Sequence, residues 1–329
     1  MRTSGCPAIE RQSARNWSSV MSRTLGVIAN ERSVRLTMVD HARSSHVDVN
    51  GVSLRILEWE PTSSKERPAI VLVHGLASNA LLWQGAAIAL AARGHRVAAI
   101  DQRGHGQSTK PESGYDMATV TSDLAALLEE LAARGFDRPV VAGQSWGGNV
   151  VVELAHRHPH LTRGVVAVDG GFLELQQHFP EWDDCASALA PPNLLGTPAK
   201  RMREYMRSAH ADWPESGIEG QMGNFEVLSD GTIRPWLSLD RHLLVLRGLW
   251  EHRPSELFAA ITIPVMFVPA DHDDGVFAAT KRNSVQRAIE ALSRGRVEWF
   301  HGADHDLHAQ HPERFADVVS AAIAEGFFS

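Results

Sequence analysis

The sequence predicts an α/β fold, a mainly parallel, doubly wound sheet with an inserted, mostly helical cap. Three observations predict it. Short apolar runs of strand length recur along the chain, they alternate with longer segments whose apolar residues follow helical spacing, and residues 172–255 interrupt the alternation with aromatic residues and prolines.

The elements follow in order from His46. Val47 to Val49 and Ser53 to Trp59 alternate around Asn50-Gly51, a pair that tolerates the left-handed backbone of a tight turn, and so predict an antiparallel hairpin. Ala69 to Val73 is apolar throughout, preceded by Pro68 and followed by His74-Gly75, as expected of a strand buried on both faces. Ala80 to Ala92 has helical spacing and stops at Arg93-Gly94. The pattern then repeats: strand Arg96 to Ile100, helix Met117 to Arg134 ending at Gly135, strand Pro139 to Ala142, helix Gly147 to Arg157, strand Val165 to Val168. Beyond the interruption come a strand from Pro264 to Val268, a helix near Val285 to Leu292, a strand from Val297 to Phe300 and a closing helix from Pro312 to Ala324. Repeated strand-helix-strand units imply parallel neighbours with helices on both faces of the sheet. The expected organisation is a core of residues 41–171 and 256–329, a cap of residues 172–255 and a flexible N-terminal extension, residues 1–40. Most of Trp182, Trp213, Trp236 and Trp250 are expected to form the cap's own small core.

Composition narrows the function classes. Of 329 residues, 43% are hydrophobic and 22% charged, an ordinary globular balance that argues against disorder or a fibrous architecture. The formal charge of −7 argues against a nucleic-acid partner, which needs a basic footprint. Cys6 and Cys185 make no disulfide framework and fit a reducing compartment, so a cytoplasmic location is expected. No run approaches the roughly 20 apolar residues of a membrane-spanning helix. Arg2, Arg11, Arg15, Arg23, Arg32 and Arg35 among serines imitate a transit peptide weakly, without the apolar stretch of a secretory signal.

The chemistry centres on Gly143-Gln144-Ser145-Trp146-Gly147-Gly148, which follows a predicted strand and opens a predicted helix. That is the context in which a G-x-S-x-G elbow lifts a serine Oγ above the sheet, with small neighbours letting backbone pass and a helix N-terminus favouring negative charge. Three further segments accompany it: His74-Gly75 after a strand, Asp101-x-Arg103-Gly104-His105-Gly106-x-Ser108 after the next, and His305 seven residues before Pro312.

From about residue 46 to its end the chain resembles the α/β-hydrolase superfamily on these segments. The resemblance implies a nucleophile, an acid and a histidine in that chain order, which Ser145, Asp273 and His305 satisfy. His305 is preferred over His301, His308 and His311 by its spacing to Pro312, although Asp304 stands where the family usually has glycine. The loop after Pro264 to Val268 offers Asp271, Asp273 and Asp274, and the resemblance puts Asp273 at the acid position; Asp169, closing the strand before the cap, is the outside candidate. The backbone amides of Leu76 and Trp146 are the implied oxyanion donors. Arg103 and His105 are assigned to the turn of their loop. Zinc-type spacing is absent, so no metal and no cofactor are expected.

The expected activity is hydrolysis of a small, apolar carboxylic ester or lactone through an acyl-enzyme, with oligomeric state left open. Acyl transfer, a cofactor-free haloperoxidase or perhydrolase reaction, thioester cleavage and carbon-carbon hydrolysis use nearly the same residues. A small-ligand receptor of this fold with slow hydrolysis is the alternative of another class. A serine at the elbow argues against epoxide hydrolysis, in which a carboxylate forms an alkyl-enzyme ester.

Overall fold

Asn50 and Gly51 both have positive φ, 50° and 77°. This two-residue turn sets the register of strands β1 (Arg43–Val49) and β2 (Val52–Trp59), with Val49 opposite Val52. The computed structural model describes residues 42–63, 67–271 and 275–329, without the side chains of residues 275–278. The expected extension, residues 1–40, lies outside the described residues, as do Asp273 and Asp274.

The chain continues through β3 (Arg67–Val73), α1 (Gln84–Ala92), β4 (His95–Ile100), α2 (Met117–Ala132), β5 (Val140–Gln144), α3 (Trp146–Arg157) and β6 (Gly164–Val168). Between β6 and the next core strand lie α4 (Trp182–Leu189), α5 (Ala199–Ala209), α6 (Glu215–Met222), a small hairpin of β7 (Phe225–Val227) and β8 (Ile233–Pro235), and α7 (Leu239–Glu251). Then follow β9 (Val265–Val268), β10 (Ala270–Asp271), α8 (Gly275–Ala291), β11 (Gly295–Val297), β12 (Phe300–His301), α9 (Leu307–Gln310) and α10 (Pro312–Ala324).

The main sheet has the order β1-β2-β4-β3-β5-β6-β9-β11. Only the pairs β1/β2 and β2/β4 are antiparallel. The continuous apolar runs are explained by burial on both faces: Val71 and Val73 face one core, under α2, α3 and α8, while Ile70 and Leu72 face the other, under α1 and α10. All four are fully buried, and each such side chain contributes about 1.5–3 kcal/mol of transfer free energy. Asp116 caps α2 by accepting from the Thr119 amide at 2.9 Å, and Gly135, at φ 91°, ends the turn beyond it. No helix among the described residues is long and apolar enough to cross a membrane.

Three elements differ from expectation. The single strand Val297 to Phe300 is broken: β11 ends at Val297, and β12 leaves the main sheet to pair in parallel with β10, Ala270 opposite Phe300. Pro269 sits at the junction without an N–H for the ladder, and its carbonyl accepts from the Phe300 amide at 2.9 Å instead. The helix expected near Val285 begins earlier, at Gly275. The segment after β6 contains the β7/β8 hairpin as well as helices, in strands of three residues that are too short to show a period of two.

The tryptophans of that segment also divide. Trp182 and Trp250 meet edge-on at 5.9 Å with the Arg247 guanidinium over both rings. Trp236 lies under Lys110, whose Nζ is 5.0 Å from the ring, and Trp213 hydrogen-bonds Asp304 of the core.

Candidate active site

β3, β5, β6 and β9 are successive strands of the sheet, so the loops at their carboxyl ends lie side by side, where open α/β sheets place ligands. Ser145 follows β5 at φ 53° and ψ −120°, a left-handed conformation costly for a residue with a Cβ. Its N–H donates to the Val168 carbonyl at 2.8 Å, which ties the turn to the end of β6. The glycines are required by close approach: a Cβ on Gly143 would lie 2.1 Å from the Gly147 carbonyl oxygen, and one on Gly170 would lie 2.1 Å from that of Ser145.

His305, in the loop after β12, faces the same cavity as Ser145. Its Nδ1 donates to Asp169 Oδ2 at 2.6 Å, leaving Nε2 as the nitrogen with the free lone pair. Among the described residues its carboxylate partner is Asp169, the outside candidate, whereas Asp273, which the resemblance puts at the acid position, lies outside them. The physical reason is strand order: β6 lies between β5 and β9, so its terminal residue stands between the elbow and the loop after β9. Asp169 has φ 40°, its amide donates to the Val268 carbonyl at 3.0 Å, and its Oδ1 accepts from the Ala270 amide at 3.0 Å. Lys281 of α8 completes the shell, with Nζ 2.8 Å from Asp169 Oδ1 and 2.9 Å from the Ala270 carbonyl.

Burial of Asp169 penalises its charged form, but the His305 hydrogen bond and charge, with Lys281, overcome this and hold the carboxyl below its ordinary value. Burial likewise opposes the His305 imidazolium, and the Asp169 hydrogen bond and charge, helped by Asp306, outweigh it, so His305 is held above its ordinary value.

The Gly75–Leu76 peptide is oriented by His74. Its Nδ1 donates to the Gly75 carbonyl at 2.7 Å and its Nε2 accepts from the Gln102 amide at 3.0 Å, which fixes the neutral tautomer. Burial pushes His74 down, in the same direction. Because a trans peptide directs N–H opposite to C=O, the anchored carbonyl turns the Leu76 N–H away from His74. Leu76 lines the cavity. Trp146, fully buried, is the first residue of α3 and packs against His105 at 5.3 Å, which in turn lies 4.9 Å from His74. His105 donates through Nδ1 to the Arg103 carbonyl at 2.9 Å, and Arg103 pairs with Asp123, so both serve their loop as expected.

The cavity has a volume of about 150 Å³. Leu76, Ala77 and Leu82 line it together with Ser78, Gln144, Gln221, Asn224 and Asp306, and no tryptophan of the segment after β6 does so. Its wall is thus more polar than an apolar substrate would need. Gln144 Nε2 donates to the His305 carbonyl at 3.4 Å, linking elbow and histidine loop. That loop is pinned further by Trp213 Nε1 on Asp304 Oδ2 at 3.0 Å and by the Asp304 amide on Gln310 Oε1 at 2.7 Å. Asp304 in place of glycine is thereby accounted for.

Of the rival histidines, His308 is buried 3.9 Å from the Trp83 ring and pushed down to about 3 by burial, and His301 pairs with Asp271 at 3.1 Å. Asp271, one of the acid candidates, also pairs with Arg282 at 3.0 Å. Lys281, Gln221 and Asn224 carried no sequence signal, while Asp306 was marked only by adjacency to His305. Among the described residues no group of three or more His, Cys, Asp or Glu could hold a metal ion.

Comparison with known proteins agrees with this architecture. Residues 68–204 match the model of the alpha/beta hydrolase fold family. The chain is 38% identical over 326 residues to epoxide hydrolase A of Mycobacterium tuberculosis, covering 85% of this chain and 95% of that protein. It is 29% identical over 282 residues to 2-(acetamidomethylene)succinate hydrolase of Mesorhizobium japonicum, covering 83% of this chain and 92% of the relative. A crystal structure of E-2-(acetamidomethylene)succinate hydrolase superposes with a TM-score of 0.72 at 26% identity, over 86% of this chain and all of that one. On fold, elbow and similarity together, the chain belongs to the α/β-hydrolase fold family.

Proposed function

We propose that the protein is a serine hydrolase that cleaves a carboxylic ester or lactone through an acyl-enzyme on Ser145, with His305 as general base and Asp169 as its carboxylate partner. The observation that carries the reading is the strained serine at φ 53° on the same cavity as an imidazole whose Nδ1 is held by Asp169. With Nδ1 protonated, Nε2 takes the Ser145 proton as Oγ bonds the acyl carbon. The Leu76 and Trp146 amides receive the developing oxyanion, a contribution of about 3–4 kcal/mol per donor. The imidazolium gives its proton to the departing alkoxide; Nε2 then takes a proton from the water that attacks the acyl carbon and passes it to Oγ as the acid leaves.

Relatives bear the names of an epoxide hydrolase, a succinate-derivative hydrolase and a non-heme chloroperoxidase. The elbow residue here is Ser145, whereas opening an epoxide to an alkyl-enzyme ester needs a carboxylate there. A succinate substrate would bring two negative charges, and no lysine or arginine lines the cavity among the described residues. Both features favour a neutral ester.

The test is burst and steady-state hydrolysis of a short-chain p-nitrophenyl ester by wild type, Ser145→Ala, Asp169→Asn and Asp273→Asn. Turnover that vanishes in Ser145→Ala is expected. Equal rates in wild type and Ser145→Ala would remove Ser145 as nucleophile, and tight binding without turnover would move a ligand receptor to the front.

A further inference from the structure

Asp306 opens the short helix α9, where an aspartate ordinarily spends its carboxylate on the first helical amides. Here it makes no such cap bond. The carboxyl instead lines the cavity beside Ser145 and His305, and its one protein partner among the described residues is Gln221, whose Nε2 lies 3.3 Å from Oδ2.

Gln221 is the last link of a directed relay. The Leu81 amide donates to Asn79 Oδ1 at 2.8 Å, and Asn79 Nδ2 donates to the Gly220 carbonyl at 2.9 Å and to Asn224 Oδ1 at 2.6 Å. Asn224 Nδ2 then donates to Gln221 Oε1 at 3.2 Å. Each amide receives at its oxygen and donates from its nitrogen, so the chain has one polarity and ends on Asp306. Asn79 is buried and anchored in the core, which fixes the direction of the relay.

One carboxylate oxygen, Oδ2, is thus held by Gln221, on a residue that lines the cavity. Burial pushes Asp306 up, and although His305 and His210 oppose this, Asp169 and Asp304 reinforce it. That direction fits an acid group short of a donor. No cation lines the cavity to receive an anion among the described residues, and an acyl group bearing a carboxylate would meet Asp306 as a like charge.

We propose that Asp306, positioned by Gln221 and Asn224, is a specificity residue that selects esters carrying a neutral hydrogen-bond donor, a hydroxyl or amide N–H, close to the scissile carbonyl, and that rejects their carboxylate counterparts. The inference rests on the ester-hydrolase reading and adds the substrate class to it. A site built to accept a hydrogen bond discriminates against an analogue that lacks the donor, because its half-buried acceptor is then left unpaired beneath the bound analogue.

The experiment compares kcat/KM, by acid release, for methyl 3-hydroxybutanoate, its isostere methyl 3-methylbutanoate, and the same methyl ester with a carboxylate at C3. Wild type should prefer the hydroxyl over the methyl compound about ten-fold or more and turn over the carboxylate least. In Asp306→Leu the hydroxyl-to-methyl ratio should fall to about one, and in Asp306→Asn the carboxylate-to-methyl ratio should rise at least about ten-fold. Ratios within one variant cancel any general loss of activity. A wild-type hydroxyl-to-methyl ratio of one or less, or ratios that neither variant changes, overturns this inference while p-nitrophenyl ester turnover still stands. Absence of turnover on every ester overturns the reading beneath it as well.

Discussion

Lys281 Nζ lies 2.8 Å from Oδ1 and 3.1 Å from Oδ2 of Asp169, so the carboxylate on His305 Nδ1 is shared between an imidazole and an ammonium. The ammonium opposes the proton on His305, lowering its affinity, while Asp169 raises it. Lys281→Met removes the opposing charge, and His305 should then titrate higher still. Because a general base works only when neutral, the acidic limb of kcat/KM against pH, expected above 6.5 in wild type, should move to higher pH in this variant. A limb that stays in place would show that Lys281 acts only in packing.

Asp169→Asn keeps the size of the side chain but removes the charge that selects the His305 tautomer. Loss of kcat by about 10³- to 10⁴-fold is expected, as for triad carboxylates generally. Asp273→Asn, measured in parallel, should retain wild-type activity within about three-fold. The reverse ranking would return the acid to the loop after β9.

Gly170→Ala places a methyl group 2.1 Å from the Ser145 carbonyl oxygen, against backbone that cannot rotate away. Overpacking of this kind costs about 1–3 kcal/mol, and displacement of the elbow by about 1 Å can cost about 100-fold in rate. Activity should therefore fall much further than the denaturation midpoint. Equal losses in both would argue for general unfolding.

Arg103 and Asp123 form a buried pair, with side chains 6% and 4% exposed and Arg103 Nη2 2.8 Å from Asp123 Oδ1. Asp123→Ala strands the guanidinium, and a loss of about 3–5 kcal/mol is expected in urea unfolding. Residual folded enzyme should keep its ester preference, since neither residue lines the cavity.

The succession of strands and helices along the chain and the strand-to-helix setting of Ser145 were legible because burial on two faces writes continuous apolar runs and the elbow requires glycines at fixed offsets. The choice between Asp169 and Asp273 was not legible. Their loops leave adjacent strands, β6 and β9, and a choice between them rests on contacts between residues far apart in sequence. The polar wall was equally hidden: Gln221 and Asn224 are ordinary surface-type residues until α6 docks against the Ala80–Trp83 turn and the Asn79 side chain captures Asn224. The tryptophan rings of the segment after β6 pack away from this wall.

The small ladder of β10 and β12 has a further consequence. Ala270 and Phe300 belong to it, the first bonded to Asp169 and the second five residues before His305. The Asp169 contact and the His305 loop thus share one two-rung bracket, which the segment after β6 also reaches through Trp213 on Asp304 and Gln221 on Asp306. A change at Trp213 or Gln221 therefore reaches the histidine loop as well as the cavity, so the fit of a bound molecule and the placement of the imidazole are mechanically coupled.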